Sequence, residues 1–236
     1  MTPPPLRPQR LWSRRPFLWG LSAIAILGSE NVSARSNEDL QTRRLNNRIE
    51  LWSTFARRSK TLVVRYSARR ESSLLREPLI TTGVLAFAAP SRLVFSDDTN
   101  RGSTTSISND LAVILAANQK GLPQGPAIVP ASNPALRWLR DHLVALFAPG
   151  DGSALLANAR SHAPKGRQPR LELLPPHASP ARKVLRSLTV TFDPVGGAIL
   201  VIDIAEAQGD RIIFRLSDHR QDPEDPTLLR LLNPKT

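Results

Sequence analysis

The chain has 236 residues, of which 41% are hydrophobic and 22% charged, an ordinary balance for one globular domain. It contains no cysteine, which excludes disulfides, thiolate metal sites and a cysteine nucleophile. The formal net charge is +12, but the basic residues are spread out as pairs, without the long runs or aromatic-interleaved basic motifs of nucleic-acid-binding proteins. We therefore expect no nucleic-acid partner, while contact with an anionic membrane surface or an acidic partner stays open.

Residues 1–34 have the pattern of an export signal. Four arginines lie within residues 7–15, ahead of an apolar stretch over 17–27 that is shorter than the ~20 residues of a membrane span. Small residues at 32–34 provide a cleavage site. We predict a signal peptide over 1–34; a membrane anchor or a buried helix is the alternative.

The segment Ser13–Leu18 also resembles the twin-arginine export motif. In this segment the pair Arg14-Arg15 is followed by Pro16 and then Phe17. Removal of the leader would leave a single domain over 35–236 with a loose, proline-containing tail from Asp218. The predicted location of this domain is the periplasm. Whether export uses the general or the twin-arginine pathway stays open.

The mature chain begins with a predicted amphipathic helix. Residues 36–39 have capping-box form, a side-chain oxygen followed three residues later by a carboxylate. After them, Leu45, Ile49, Trp52 and Ala56 fall on one helical face. We expect this face to lie on an apolar surface.

From Thr61 onward the apolar period changes to two, which predicts strands. Because the links between them are short, neighbouring strands must be antiparallel. The predicted strands cover 61–69, 79–88 and 92–96, with weaker candidates at 104–108 and 111–116.

The centre of the chain is predicted to be helical after a loop over 121–131. Asn133 or Ser132 caps a helix that has Pro134 in its first turn. A second short helix is predicted over 153–159. Strands then follow at 170–174, 188–192, 198–205 and 211–217, with hairpin-sized gaps between the last three.

No catalytic constellation assembles from the sequence, so we predict a protein that is not an enzyme and needs no metal or cofactor. The histidines have no metal-binding helical pair, and nucleophile-elbow, Walker and dinucleotide-binding motifs are absent. His142 beside the helical stripe is more often a packed or surface residue than a ligand. Asp97-Asp98 could hold a cation or form a solvated turn.

The order helix, antiparallel strands, central helices and closing hairpins resembles the periplasmic outer-membrane lipoprotein carrier (LolA-like) family. The residues that carry the likeness lie at 74–79, 83–87, 90–95, 188–192, 197–204 and 209–214. The resemblance implies an α+β fold in which a curved antiparallel sheet forms an incomplete β-barrel covered by lid helices. It also implies an apolar cavity that shields lipoprotein acyl chains between an inner-membrane release complex and an outer-membrane acceptor.

The sequence departs from the family at one position. Carriers of this family usually have an arginine before the proline that follows the second strand, and it hydrogen-bonds to the lid helices. This chain has Ala89 before Pro90, with Arg92 two residues later. The state of the lid, open or closed, is therefore not predicted, and glycolipid or another hydrophobic cargo is an alternative to lipoprotein.

Two functions follow as hypotheses. The first is a periplasmic carrier or chaperone for acyl chains or other lipid-like cargo; the second is an envelope sensor or protein-interaction module on the same half-barrel. The predicted cavity lining is apolar and aromatic, although for any single member a place in the core is the more frequent explanation. It comprises Trp52, Leu85, Phe87, Leu93, Phe95, Trp138, Leu139, Leu143 and Phe147.

Overall fold

A computed structural model of the protein describes residues 29–58, 60–98, 103–108, 112–115, 127–129 and 133–224. Most of the predicted signal peptide and the last twelve residues lie outside this part, so the leader and its cleavage stay predictions. The chain divides into two compact units, 1–37 and 38–236. The described part of the first unit is the opening of a helix, and the second contains every strand. None of the described helices combines the length and hydropathy that a membrane span requires.

In the described part of the chain, eleven strands form one antiparallel sheet, in the order β6-β5-β4-β3-β2-β1-β11-β10-β9-β8-β7. Its two edges there, β6 and β7, do not pair with each other, so the described sheet is open. The strands are β1 (Thr61–Glu71), β2 (Leu79–Ala88), β3 (Arg92–Asp97), β4 (Thr104–Ile107), β5 (Ala112–Leu115), β6 (Ala127–Val129), β7 (Arg160–His162), β8 (Arg170–Leu174), β9 (Leu185–Phe192), β10 (Ile199–Glu206) and β11 (Arg211–Gln221).

The described residues also form the α-helices α1 (Ser29–Ala56), α2 (Pro134–Phe147) and α3 (Ser153–Leu156), and a 3₁₀ helix spans Pro180–Lys183. Asn133 caps α2 as predicted, because its Oδ1 accepts hydrogen bonds from the backbone N–H groups of Ala135 at 2.9 Å and Leu136 at 3.3 Å. The predicted α+β class, an incomplete barrel with helices on one face, is confirmed.

Two predictions about element boundaries were wrong: the start of the first helix and the extent of the loop over 121–131. The capping box at 36–39 lies inside α1, which is already helical at Ser29 because no glycine or proline interrupts residues 29–60. Part of the 121–131 loop forms β6, which pairs with β5. An edge strand of three residues has too little sequence to show a period, and the sheet supplies its hydrogen bonds.

The C-terminal half contains more sheet than was predicted. β7 pairs with β8, in a stretch between the predicted helix at 153–159 and the predicted strand at 170–174 where no strand was expected. β11 continues to Gln221, four residues into the tail that was expected to be loose. Asp222 then anchors the chain, because its Oδ1 accepts hydrogen bonds from the backbone N–H groups of Lys60 at 2.8 Å and Thr61 at 2.9 Å.

The core lies between the helices and one side of the sheet, here called the inner face. Alternation along each strand places its apolar side chains on this side. The inner face is continuous across eight strands, from β8 through β9, β10, β11, β1, β2 and β3 to β4. On the opposite face, Val63, Ala86 and Val94 form a small separate cluster.

Candidate functional site

One part of the inner face, here called the packed region, is filled by α1 and α2. The indole Nε1 of Trp52 donates a hydrogen bond to the carbonyl oxygen of Leu146 at 2.8 Å, joining the two helices. The ring of Phe147 lies 6.2 Å from that of Phe87 on β2, measured between ring centroids. Helices and sheet therefore interlock in this region.

The structure places all nine predicted lining residues in one apolar cluster. Seven belong to the packed region and expose between 0 and 6% of their surface, while Phe95 and Leu139 are partly buried at its margin. The seven buried residues are Trp52, Leu85, Phe87, Leu93, Trp138, Leu143 and Phe147. Their role as a cavity lining stays a prediction.

A second part of the inner face carries three aromatic rings, here called the aromatic triangle: Tyr66, Phe95 and Phe214. Their centroids lie 6.0 Å apart for Tyr66 and Phe95, 5.8 Å for Tyr66 and Phe214, and 5.6 Å for Phe95 and Phe214. Phe95 and Phe214 are only partly buried, as is Ile212 two residues before Phe214. Two of the three rings therefore keep part of their apolar surface exposed, whereas Tyr66 is buried.

The polar end of Tyr66 is satisfied away from the ring. Its hydroxyl donates a short hydrogen bond to Oδ1 of Asp97, and the hydroxyl of Ser103 donates to Oδ2 of the same carboxylate at 2.8 Å. Burial, then the hydrogen bond and the charge of Asp97, raise the pKa of Tyr66, so the phenol stays neutral in neutral and mildly alkaline solution. The ring consequently presents only carbon to its aromatic neighbours.

Gly83 makes this arrangement possible. It lies opposite Tyr66 on β2, and a Cβ at position 83 would lie 2.7 Å from Cζ of Tyr66 and 2.2 Å from the carbonyl oxygen of Ser96. The missing side chain lets the Tyr66 ring cross β2 and reach Asp97 on β3. Gly83 therefore allows an aromatic ring to take its place on the inner face.

The Asp97-Asp98 pair acts as two separate structural anchors. Asp97 accepts hydrogen bonds from the two hydroxyls, whereas Asp98 pairs with Arg65, with 2.7 Å between Oδ2 and Nη2. Among the described residues, no group of three or more histidine, aspartate or glutamate side chains is placed to hold a metal ion. The turn interpretation fits this geometry.

One of the predicted lining residues borders a cavity that is formed by described residues. A cavity of about 390 Å³ between α2, α3 and the β2–β3 turn includes Trp138 in its wall, and the other eight predicted residues line neither it nor two further surface cavities. His142, 2% exposed, also lines it, with Nδ1 2.7 Å from the carbonyl oxygen of Trp138. Burial lowers the pKa of His142, so it packs as a neutral ring.

Position 89, where the resemblance to the carrier family would lead us to expect an arginine, holds Ala89. Ala89 is exposed, and Arg92 pairs with Ala88 in the register of β2 and β3. Because Phe87 points to the inner face, Ala88 and Arg92 point to the outer one. Arg92 therefore leaves β3 on the outer face.

Three members of the site were not predicted from the sequence: Tyr66, Ile212 and Phe214. Alternation put each of them on the apolar side of its strand, which is a usable signal. The missing information was the pairing of β1 with β11, which places Ala68 opposite Phe214 across about 150 residues of sequence. Local periodicity does not reveal such a partner.

No protein-family model and no curated protein matches the sequence. Solved structures that match include a LolA superfamily protein from Nitrosomonas europaea, with 8% identity, a TM-score of 0.41 and coverage of 77% of this chain and 95% of the other. A DUF1329 family protein from Desulfovibrio piger has 8% identity and a TM-score of 0.41, and the match covers 76% of this chain and 93% of the other. The Pseudomonas aeruginosa MucA/MucB complex matches with 12% identity and a TM-score of 0.43, covering 78% of this chain and 59% of the other. The superfamily named from the sequence is thus among the structural matches, which by themselves assign no ligand or partner.

Proposed function

We propose that the protein binds alkyl chains on the inner face at the aromatic triangle and carries acylated or otherwise apolar cargo through the bacterial envelope. The observation that carries this proposal is the half-open state of Phe95 and Phe214, two large aromatic side chains at the margin of an otherwise closed core. Apolar side chains at a core margin usually gain from further burial.

The chemistry of the triangle suits an alkyl chain better than a polar ligand. The hydroxyl of Tyr66 is already bonded to Asp97, so the site offers ring faces and methyl groups without a free directional partner. Each methylene removed from water contributes about 0.8 kcal/mol. A chain of ten or more carbons would therefore bind through contact area alone, without a specific headgroup.

Cargo longer than the triangle would extend toward the packed region. Phe95 links the two parts, because it neighbours Tyr66 and pairs with Leu85 in the register of β2 and β3. Access to Leu85 and Phe87 would require α2 to move away from the sheet. In this proposal the seven buried residues of the predicted lining are reached only when the helices separate.

The envelope setting follows from the predicted signal peptide rather than from the coordinates. A periplasmic carrier would receive cargo from an inner-membrane release complex and pass it to an outer-membrane acceptor. Apolar transfer of this kind needs no nucleotide and no catalytic group on the carrier. Its energy would come from the partners or from the affinity difference between them.

The proposal is tested by titrating a fluorescent fatty acid into the full chain and its Phe214→Glu variant. An uncompensated carboxylate in an apolar site is costly, so at least a tenfold loss of affinity is expected. Val195→Glu is the matched control, since Val195 is 88% exposed on the β9–β10 turn. Equal affinity of the folded Phe214→Glu variant and wild type would remove the triangle from the site.

Native mass spectrometry of the protein purified from a bacterial envelope separates the carrier from the sensor hypothesis. Co-purified lipid that is lost in the Phe214→Glu variant supports carriage. A stoichiometric protein partner without lipid would favour the interaction module instead.

A further inference from the structure

Residues 72–80, here called the apolar loop, comprise the connection between β1 and β2 and the first two residues of β2, and they present large apolar side chains to solvent. Leu74 is 91% exposed, Leu75 43%, Leu79 54% and Ile80 61%. They are four of the eight large apolar residues that stand exposed in the described part of the chain. Scattered apolar residues on a surface are ordinary, but four within seven positions form a patch.

Hydrogen bonds hold the loop in this shape. The backbone N–H of Leu75 donates to the carbonyl oxygen of Ser72 at 3.0 Å, and the N–H of Leu74 donates to the Ser72 hydroxyl at 3.3 Å. The N–H of Ser73 donates to Oδ1 of Asp210 in the β10–β11 turn at 3.3 Å. Leu74 therefore stands at the tip of a braced turn.

Cationic side chains surround this tip. Arg69, Arg70 and Arg76 are all exposed. Arg69 pairs with Glu71 at 2.8 Å, whereas Arg70 and Arg76 have no carboxylate within 4 Å in the described part of the chain. An apolar tip with free guanidinium groups behind it matches the two layers of a lipid surface, an apolar interior beneath anionic headgroups.

The apolar loop also continues the inner face. Leu79 pairs with Arg70, and Gly83 pairs with Tyr66, so Leu79 points to the same side as the aromatic triangle. On the other side of β1, Ile212 pairs with Arg70 and Phe214 with Ala68. Arg70 therefore lies between Ile212 and Leu79 on this face, with the aromatic triangle on one side of it and the start of β2 on the other.

We propose that the apolar loop is a membrane-docking site, at which Leu74, Leu75, Leu79 and Ile80 enter the interfacial layer of a bilayer. Arg70 and Arg76 then contact anionic phosphate groups at its surface. The docking itself stands on the loop alone; the purpose assigned to it, passage of an alkyl chain between bilayer and triangle, rests on the proposed function.

Vesicle flotation tests the proposal with the full chain. We expect wild type to float with phosphatidylcholine vesicles that contain phosphatidylglycerol, and Leu74→Asp to lose at least about tenfold in partition coefficient. Val195→Asp is the matched control, because Val195 is 88% exposed on another turn, and it should float like wild type. A joint Arg70→Gln and Arg76→Gln variant should lose the preference for phosphatidylglycerol over pure phosphatidylcholine.

Failure of wild type to float with either vesicle, or equal flotation of Leu74→Asp and wild type, would overturn the docking site. An equal loss in Val195→Asp would do the same, since the effect would then not belong to this loop. Affinity for the fluorescent fatty acid is measured in parallel. Retained probe binding with lost flotation leaves the proposed function intact, whereas lost probe binding in the Phe214→Glu variant of a floating protein confirms both.

Discussion

The packed region and the aromatic triangle are built on the same strands but end in different states. Along β1, Leu62 is covered and lies opposite Phe87, whereas Tyr66, four residues later on the same side, borders the half-open rings. The alternation of side chains is identical in both places. The difference is that α1 and α2 interlock with the first part, while two of the three adjacent rings of the second stay partly exposed. The alternation of side chains therefore makes the inner face apolar, but it does not determine which parts of that face the helices cover.

The largest contrast is expected from removing one phenylalanine ring in each region. Phe87→Ala should lower the free energy of unfolding by about 3–5 kcal/mol, because Phe87 is 1% exposed and leaves a cavity among packed neighbours. Phe214→Ala should cost about 1 kcal/mol, since that ring is only partly buried. Urea unfolding of the two variants measures both values, and equal costs would remove the distinction between the regions.

Gly83→Ala adds a single methyl group and should destabilise the fold at the aromatic triangle. Its Cβ would meet the carbonyl oxygen of Ser96 at 2.2 Å and the Tyr66 ring at 2.7 Å, so β2 and β3 must separate or the ring must move. We expect a loss of about 1–3 kcal/mol. Ala86→Gly, on the outer face of the same strand, gives a strand-propensity reference. A neutral Gly83→Ala variant would show that Tyr66 does not need the close approach.

Trp52→Phe tests how α1 and α2 are held over the packed region. The variant keeps an aromatic ring but loses the hydrogen bond to the carbonyl oxygen of Leu146, a buried contact across 94 residues. We expect about 1–2 kcal/mol from the lost bond. Hydrogen exchange should rise at the C-terminal turns of α2 and stay unchanged in β10. Exchange that rises equally in both would indicate general unfolding instead of helix release.

The smallest expected effect is a loss of stability at alkaline pH, caused by Tyr66 of the aromatic triangle. The pKa of Tyr66 is raised in the folded state, so above pH ~10 the unfolded chain loses a proton that the folded chain keeps. Stability should therefore fall as the pH rises beyond that value, and Tyr66→Phe should abolish this slope at a cost of about 1 kcal/mol at neutral pH. Tyr66 is the single tyrosine of the chain, so tyrosinate absorbance reports it alone. Ionisation at an ordinary pKa without unfolding would contradict the buried hydrogen bond to Asp97.

Much of the fold could be predicted because its signals are local. Alternation identified β2 at its observed bounds, and Asn133 with Pro134 located the start of α2. The antiparallel arrangement followed from the short connections. Edge strands β6 and β7 could not be predicted, since three residues carry no period and their stability comes from the neighbouring strand.

The candidate site was only partly predictable for the same reason. Phe95 was predicted, whereas Phe214 reaches the site through the pairing of β1 with β11, which no local pattern encodes. The nine predicted lining residues do share one apolar cluster. Which of them would face packed helices depended on volumes and contacts such as Trp52 with Leu146, and a pattern of apolar positions does not contain that information.

Photo-crosslinking with a diazirine-bearing fatty acid tests the central claim most directly, because peptide mapping after irradiation reports where the alkyl chain lies. We predict saturable labelling in the peptides that contain Phe95, Ile212 and Phe214, with competition by unlabelled fatty acid and loss in Phe214→Glu. Labelling confined to other surfaces, or labelling that no competitor displaces, would contradict binding at the aromatic triangle.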